Sequence, residues 1–589
     1  MPTPSKDSWD LSQLFSSDAD PRIAASVKSA EKTAVSFRAH WYDRITTLHT
    51  PKNLLAALRD YEGVLRANGT LSRTQLYWHL RSAQNQNDTA VKAQLLQTEE
   101  RAEKLANQLR FFTLAIQKIP REAQRTLLAS AALKPYYHFL ERQFAFGAHA
   151  LRESEENVLA LTASTSYTQW VQLTQEALSQ ETRNGRPLAV LNERCSDPRQ
   201  SVRDRANAQI NSIITTHRAT ATAEINAILA YKKTDDELRG FTRPDASRHL
   251  EDDIETAIVD TMLDTVTSRN SIAHQLYALK ARIWGKKQLA YHERNVLLPV
   301  KDTTYTYPKA LDLVEKTFRS LDPEFGDMVA LFAKERRIDV HPKIGKRNGA
   351  FCSYVAPTLP VYVLLNYTNR VRDALVIAHE LGHGLNGEYM KEQSELNFDS
   401  PTSTAEVAST FFEDFVLQQL LATADDTTRL ALLLQQLTDE VSTIYRQTAL
   451  YRFEQELHET FRRDGYLSSD TISGIFSTTM QAYLGPSVQF DTSSADRWVD
   501  WPHIRYFFYV YSYSSGLLIS KALQAAVHTD PTFITHVKTF LRAGSSRAPR
   551  DLFTSLGLDI TKPAFWNSGL DEVEQHLKEA NNLATRLGY

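Results

Sequence analysis

Apolar residues recur at helical spacing over most of the chain. Between Thr89 and Ile119, Leu95, Leu96, Leu105, Leu109 and Phe112 fall near a 3.6-residue period, with Glu, Gln, Lys and Arg between them. That is the pattern of an amphipathic helix with one apolar stripe. Residues 22–118 read throughout as long helices of this kind. No heptad holds over several repeats, so helical hairpins packed as a lobe fit better than a coiled coil. Ile119-Pro120-Arg121 marks a break, Ser196-Asp197-Pro198 precedes a further helix, and Gly240 to Pro244 reads as a loop before the next helical pair. Strand-like composition is confined to two stretches, Ala290 to Val300 and Phe351 to Tyr367. The pattern predicts a mainly α protein with one small sheet.

The second of these stretches leads into the most informative segment. Val361-Tyr362-Val363-Leu364-Leu365 predicts a short strand, Thr368 or Asn369 a helix cap, and Asp373 a carboxylate at the positive end of the helix dipole. Ala374 to Ala378 is apolar on every side, as in a buried helix, and continues into His379-Glu380-Leu381-Gly382-His383. Residues four apart on a helix stack one turn above the other, so both imidazoles can reach one ion. Zinc takes N, S or O donors at about 2.0–2.3 Å, and a catalytic site draws three from the protein. Glu380 is rotated off the histidine stripe, where it can act as general base toward a water and then as acid toward a leaving amine.

A third donor has to come from elsewhere. A metzincin would carry Gly at 386 and His at 389, but Asn386 and Tyr389 stand there. Glu388, Glu392 and Glu395 lie on or just past the same helix, poorly placed to fold back. Beyond Pro401-Thr402-Ser403-Thr404 a new helix is predicted from Ala405, carrying Glu406 and, seven residues on and on the same face, Glu413. Glu406 is expected to complete a His₂Glu set, and Glu413 to orient a ligand histidine.

Composition sets limits. At 589 residues the chain calls for two or more lobes. A formal net charge of −3 provides no field for nucleic acid or a membrane surface. The two cysteines, Cys195 and Cys352, make no disulfide framework, which fits a reducing cytosol. Neither a signal-like apolar segment at Met1 to Asp10 nor an 18-residue uncharged apolar run is present, so a cytoplasmic protein is expected.

The zinc-type segment His379 to Asn386 followed by Ala405-Glu-Val-Ala-Ser-Thr-Phe resembles the thimet oligopeptidase family, M3, and within it the oligoendopeptidase F branch. Trp9 to Phe15, His149 to Leu159, Gly345 to Cys352 and Trp501 to Gly516 extend the resemblance over nearly the whole chain. It implies a two-lobed helical zincin around a deep substrate channel. The corresponding division is an N-terminal helical region (1–120), an oligoendopeptidase F-type N-terminal domain (121–200) and a catalytic domain with the zinc helices (201–589). It further implies one Zn²⁺ per chain and cleavage of internal bonds of short unfolded peptides; the sequence does not give the oligomeric state, for which a monomer is favoured.

In that family a histidine and tyrosines from a late helix face the metal. Carried over, His503 contacts substrate or stabilises the transition state, and Tyr513 donates to the oxyanion. Tyr506 and Tyr509, read as sharing the helical face of Tyr513, are further substrate-binding candidates. The small sheet is expected to offer an edge strand to an extended peptide. Gly345 to Gly349 beside it reads equally as a flap or as a solvated Lys-Arg loop. Two other readings stay open: a metallocarboxypeptidase, with Arg505 or Lys346 reserved for the substrate carboxylate, and a catalytically retired peptide-binding protein, against which the intact Glu380 argues.

Overall fold

The computed structural model describes residues 7–67, 71–299 and 304–589. Helices dominate, and their boundaries follow local chemistry. The helix Thr89–Gln117 is capped by Asp88, whose carboxylate accepts the amides of Ala90 and Val91. Its buried face is Val91, Thr98, Ala102, Leu105, Leu109, Phe112 and Ile116. Leu96, read as part of the stripe, points to solvent instead, because it falls one position off the 3–4 spacing. The 40-residue helix Gln200–Arg239 ends at Gly240, whose φ of 76° suits a left-handed cap. Residues between Val27 and Phe144 enclose a core of their own, while the main core gathers residues from Val171 to Ala584. Each Leu, Ile or Val fully withdrawn from water there contributes roughly 1.5–3 kcal/mol before entropy is counted.

The sheets are smaller and more numerous than expected. Three are present among the described residues: two of two strands each and one of three. Residues 291–299 are not a strand. Only Leu289–Ala290 pairs, in parallel with Val488–Gln489, before the chain enters a 3₁₀ turn at Tyr291–Glu293. Glu293 causes the turn by accepting the amide of Ala290 while binding Arg203 and Lys286. Residue 300, the end of that predicted strand, lies outside the described residues.

The three-stranded sheet carries the site. Its central strand, Tyr362–Leu364, runs parallel to Ile338–Asp339 and antiparallel to Phe351–Ser353. Val361, Val363 and Leu365 face the main core, while Tyr362 and Leu364 face a third cluster with Trp9, Leu14, Phe15 and Trp78. Both faces are covered, which explains an unbroken apolar run where a half-exposed strand would alternate. Trp9 fixes this arrangement by donating its indole N–H toward Val363 O (2.8 Å) and Arg337 O (3.0 Å).

The Gly345 to Gly349 segment is anchored at Lys346, while Arg347, Asn348 and Gly349 stay exposed. Lys346 is buried, with Nζ 2.7 Å from Asp339 Oδ1 and 2.9 Å from the carbonyl of His341. Gln86 N donates to Gly345 O and Arg347 N to Ala83 O, so the segment is tied to the N-terminal helices. After the central strand, the helix Val371–Met390 begins with Arg370 at its cap, not Thr368 or Asn369. Asp373 does the capping chemistry: its Oδ2 accepts from Thr368 N, Thr368 Oγ1 and Arg370 N.

Candidate metal centre

His379 and His383 lie one turn apart on the helix Val371–Met390, their ring centroids separated by 5.0 Å. The next helix spans Val407–Thr423, so Glu406 is its N-cap rather than a residue of its first turn. That cap position turns the Glu406 side chain back toward the preceding helix. Its Oε2 stands 3.4 Å from His379 Nε2 and 3.3 Å from His383 Nε2. Two donors about 2.05 Å from one ion at a tetrahedral angle are ~3.3 Å apart. The three side chains therefore fit an ion of zinc's size on geometry alone.

Close helix contact makes this possible. A Cβ on Gly382 would lie 2.8 Å from Ser409 Cα and 2.9 Å from Ala408 O, so only glycine lets the two helices approach this far. On the other side Gly516 of the helix Tyr511–Thr529 abuts Glu406, where a Cβ would stand 3.2 Å from that of the glutamate. Ser409 Oγ lies 3.0 Å from both Glu406 O and Oε2, and Thr410 Oγ1 donates to the same carbonyl at 2.7 Å.

The electrostatics favour a cation. Burial opposes protonation of His379, yet the carboxylates of Glu406 and Glu413 push it up to about 10. Burial acts against ionised Glu406 as well, but its two histidine neighbours hold it well below the usual carboxylate range. Without an ion, protons are thus held where a divalent cation would sit. Glu413 Oε2 is 2.9 Å from His379 Nδ1, leaving Nε2 for the shared centre. Glu380 is buried, and that burial raises its carboxyl above the ordinary value, against the pull of the two histidines.

A cavity of about 500 Å³ opens above these groups, lined by the strand Phe351–Ser353, Tyr354, His379, Glu380, His383 and Glu406. The strand is an edge of the sheet and lines the same cavity as the three donors.

The late segment differs from the continuous helix predicted. Pro502–Tyr506 is a 3₁₀ turn, Phe507 and Phe508 take left-handed conformations (φ 44° and 57°), and the helix begins at Tyr511. The break brings His503 back over the helix start: Nε2 is 3.2 Å from Tyr513 Oη, and its ring lies parallel to that of Tyr509. Burial, with Tyr509 and Glu406 adding to it, pushes the Tyr513 phenol up to about 12, so it stays a donor. Burial and then Arg446 lower His503. The shared helical face argued for Tyr506 does not exist, since Tyr506 is exposed on the turn that precedes the break.

Other sequence candidates are occupied elsewhere. Glu388 pairs with Arg337 and Lys391, Glu392 with Arg542, and Glu395 with Arg66. Arg505 is buried in a two-pronged pair with Glu224, and Lys346 is held by Asp339, so neither is available for a substrate carboxylate. A second group of donors, Asp204, His292 and Glu293, suits a metal poorly because Glu293 is already neutralised by Arg203 and Lys286. Tyr354, which lines the cavity and feels the charge of Glu406, was not foreseen. Nothing in its local pattern separates it from a structural aromatic. No helix among the described residues is long and apolar enough to cross a membrane.

Residues 317–572 match the model of peptidase family M3, and residues 116–180 match that of Oligopeptidase F. An oligoendopeptidase F homolog of Lactococcus lactis is 22% identical over 98% of this chain and 97% of its own length. Oligopeptidase PepF of Bacillus subtilis is 24% identical over 99% of this chain and 88% of its own. In structure, a candidate peptidase from Chlamydophila abortus superposes with a TM-score of 0.88 at 21% identity, covering 99% of both chains. Oligoendopeptidase-F of Enterococcus faecium gives a TM-score of 0.67 at 19% identity over 96% of this chain and 98% of its own. The chain belongs to peptidase family M3, in its oligoendopeptidase F branch, and is a metalloendopeptidase.

Proposed function

We propose that this protein is a cytoplasmic, monomeric oligoendopeptidase that uses one Zn²⁺, held by His379, His383 and Glu406, to hydrolyse internal bonds of short unfolded peptides. The observation that carries the reading is the 3.3–3.4 Å spacing of the three donors beside a buried, unligated Glu380. Within it, residues 201–589 form the catalytic domain, preceded by the 1–120 and 121–200 segments. An extended peptide adds to the free edge of Phe351–Ser353, which fixes its backbone and leaves side chains largely unread. The zinc supplies Lewis acidity and a water acidified toward neutrality. Glu380, its carboxyl pushed up by burial, accepts the proton of the attacking water and passes it to the leaving amine. Tyr513, with His503 at its hydroxyl, donates to the carbonyl oxygen as negative charge develops there. Glu413 holds the tautomer of His379. Tyr509 packs beside Tyr513 as a wall for substrate.

The test combines metal analysis with product mapping. The purified protein is expected to carry one zinc per chain and to cut peptides amidated at the C-terminus at internal bonds, with activity abolished by a chelator. Glu380→Gln should keep the metal while kcat falls by roughly 10²–10⁴-fold. Release of single C-terminal residues only, or undiminished turnover by the variant, would overturn the reading.

A further inference from the structure

His379 and Glu380 line two cavities. One is the space along the edge strand; the other, of about 210 Å³, enters between the helices Val371–Met390, Val407–Thr423 and Asp426–Val441. Leu375, Val376, Leu417 and Leu432 wall the second cavity, and Asp439 with Gln435 lies among its polar lining. Its size suits one long side chain or a handful of waters. A peptide lying along the edge strand carries its backbone past Glu380, so a side chain next to the reacting bond can enter here.

Charge decides what that side chain is. Around Asp439 the other ionic groups are engaged: Glu413 with His379, Glu440 with Lys521 and His576, and Lys280 with Thr438 Oγ1 and the carbonyl of Arg294. Asp439 has only a loose contact, 3.9 Å, with Arg372, and both side chains are more than half exposed. Such a pair is worth little and yields readily to a better-placed cation. Apolar walls complement the methylene stem of Lys or Arg, whose charged end seeks a carboxylate beyond it.

We propose that this cavity is a specificity pocket for a basic side chain beside the scissile bond, with Asp439 as the group that selects it. The proposal rests on the catalytic reading above. An incoming ammonium or guanidinium can pair with this exposed, loosely held carboxylate, which an aliphatic side chain cannot do.

A set of end-blocked peptides differing only at the two residues flanking the cleaved bond provides the test, using Lys, Arg, Gln, Leu and Glu with products identified by mass spectrometry. At one of the two positions kcat/KM for Lys or Arg should exceed that for Leu or Gln on the order of tenfold. Asp439→Asn should erase most of that ratio, and Asp439→Lys should turn the preference toward Glu. Equal kcat/KM for Lys and Leu at both positions, or a ratio unmoved in Asp439→Asn, overturns the pocket and leaves the peptidase reading intact. Failure of the zinc-loaded wild-type protein to cut any of the peptides overturns both.

Discussion

His379 Nδ1 and Glu413 Oε2 stand 2.9 Å apart across two helices, 34 residues distant in sequence. The contact orients the imidazole whose other nitrogen faces Glu406. Replacing Glu413 by Ala should weaken zinc binding by roughly 10–100-fold, measured by chelator competition, with the fold unchanged by circular dichroism. Unchanged zinc affinity would show that packing alone orients the ring.

Gly382 is the point of closest approach between those helices. Gly382→Ala should lower stability by about 1–3 kcal/mol in urea unfolding, because the added methyl meets backbone atoms of Ala408 and Ser409 that cannot move aside cheaply. Zinc affinity should fall with it, since the same shift carries Glu406 away from the histidines. A variant as stable as the parent would mean the helices separate without strain.

Tyr513 is placed to act on charge that exists only during reaction. Tyr513→Phe should reduce kcat by about 10²–10³-fold while KM changes little. A change confined to KM in steady-state assays would reassign the phenol to ground-state binding.

Stability should also respond to one buried carboxyl. Glu454 is fully buried, accepts the amide of Phe508 at 3.0 Å, and leaves its other oxygen unpartnered. Burial pushes its pKa from 4.5 up to about 8, against the pull of that amide and of Arg248. Between those values the folded protein holds a proton that the unfolded chain has lost. Its contribution is therefore complete below pH 4.5 and disappears as pH rises through 8. Glu454→Gln keeps the acceptor and removes the titration, so the difference in melting temperature between parent and variant should shift in favour of the variant from pH 5 to pH 8. A constant difference would show that Glu454 ionises normally.

Much of this centre was legible because its parts are local. The 3.6-residue period placed His379 above His383, and Glu406 and Glu413 sit just seven residues apart on the helical segment that follows. The helical face shared by Tyr506, Tyr509 and Tyr513 was misjudged for the same reason: periodicity assumes a continuous helix, and nothing in a Phe-Phe pair announces two consecutive left-handed residues. The strand predicted at 290–300 failed because a single carboxylate, Glu293, rewards a turn more than the β-prone residues reward extension. Asp439 carried no signal, since a lone aspartate on an amphipathic helix looks solvated until a cavity is found beside it. Lys346 and Arg505 reverse that case. Both read as candidates for a substrate carboxylate, and both are buried in ion pairs, Lys346 with nearby Asp339 and Arg505 with Glu224 far along the chain.

Contacts of Trp9, Asp7 and Asp10 have one more effect. Asp10 N donates to Arg336 O and Val340 N to Asp7 O, flanking the strand Ile338–Asp339 on the side away from the central strand. The sheet would otherwise have two open borders, and an unfolded peptide could zip onto either one, including the border remote from Glu380. With residues 7–10 laid along one border, the border left for the peptide addition proposed above is Phe351–Ser353, which lines the same cavity as Glu380.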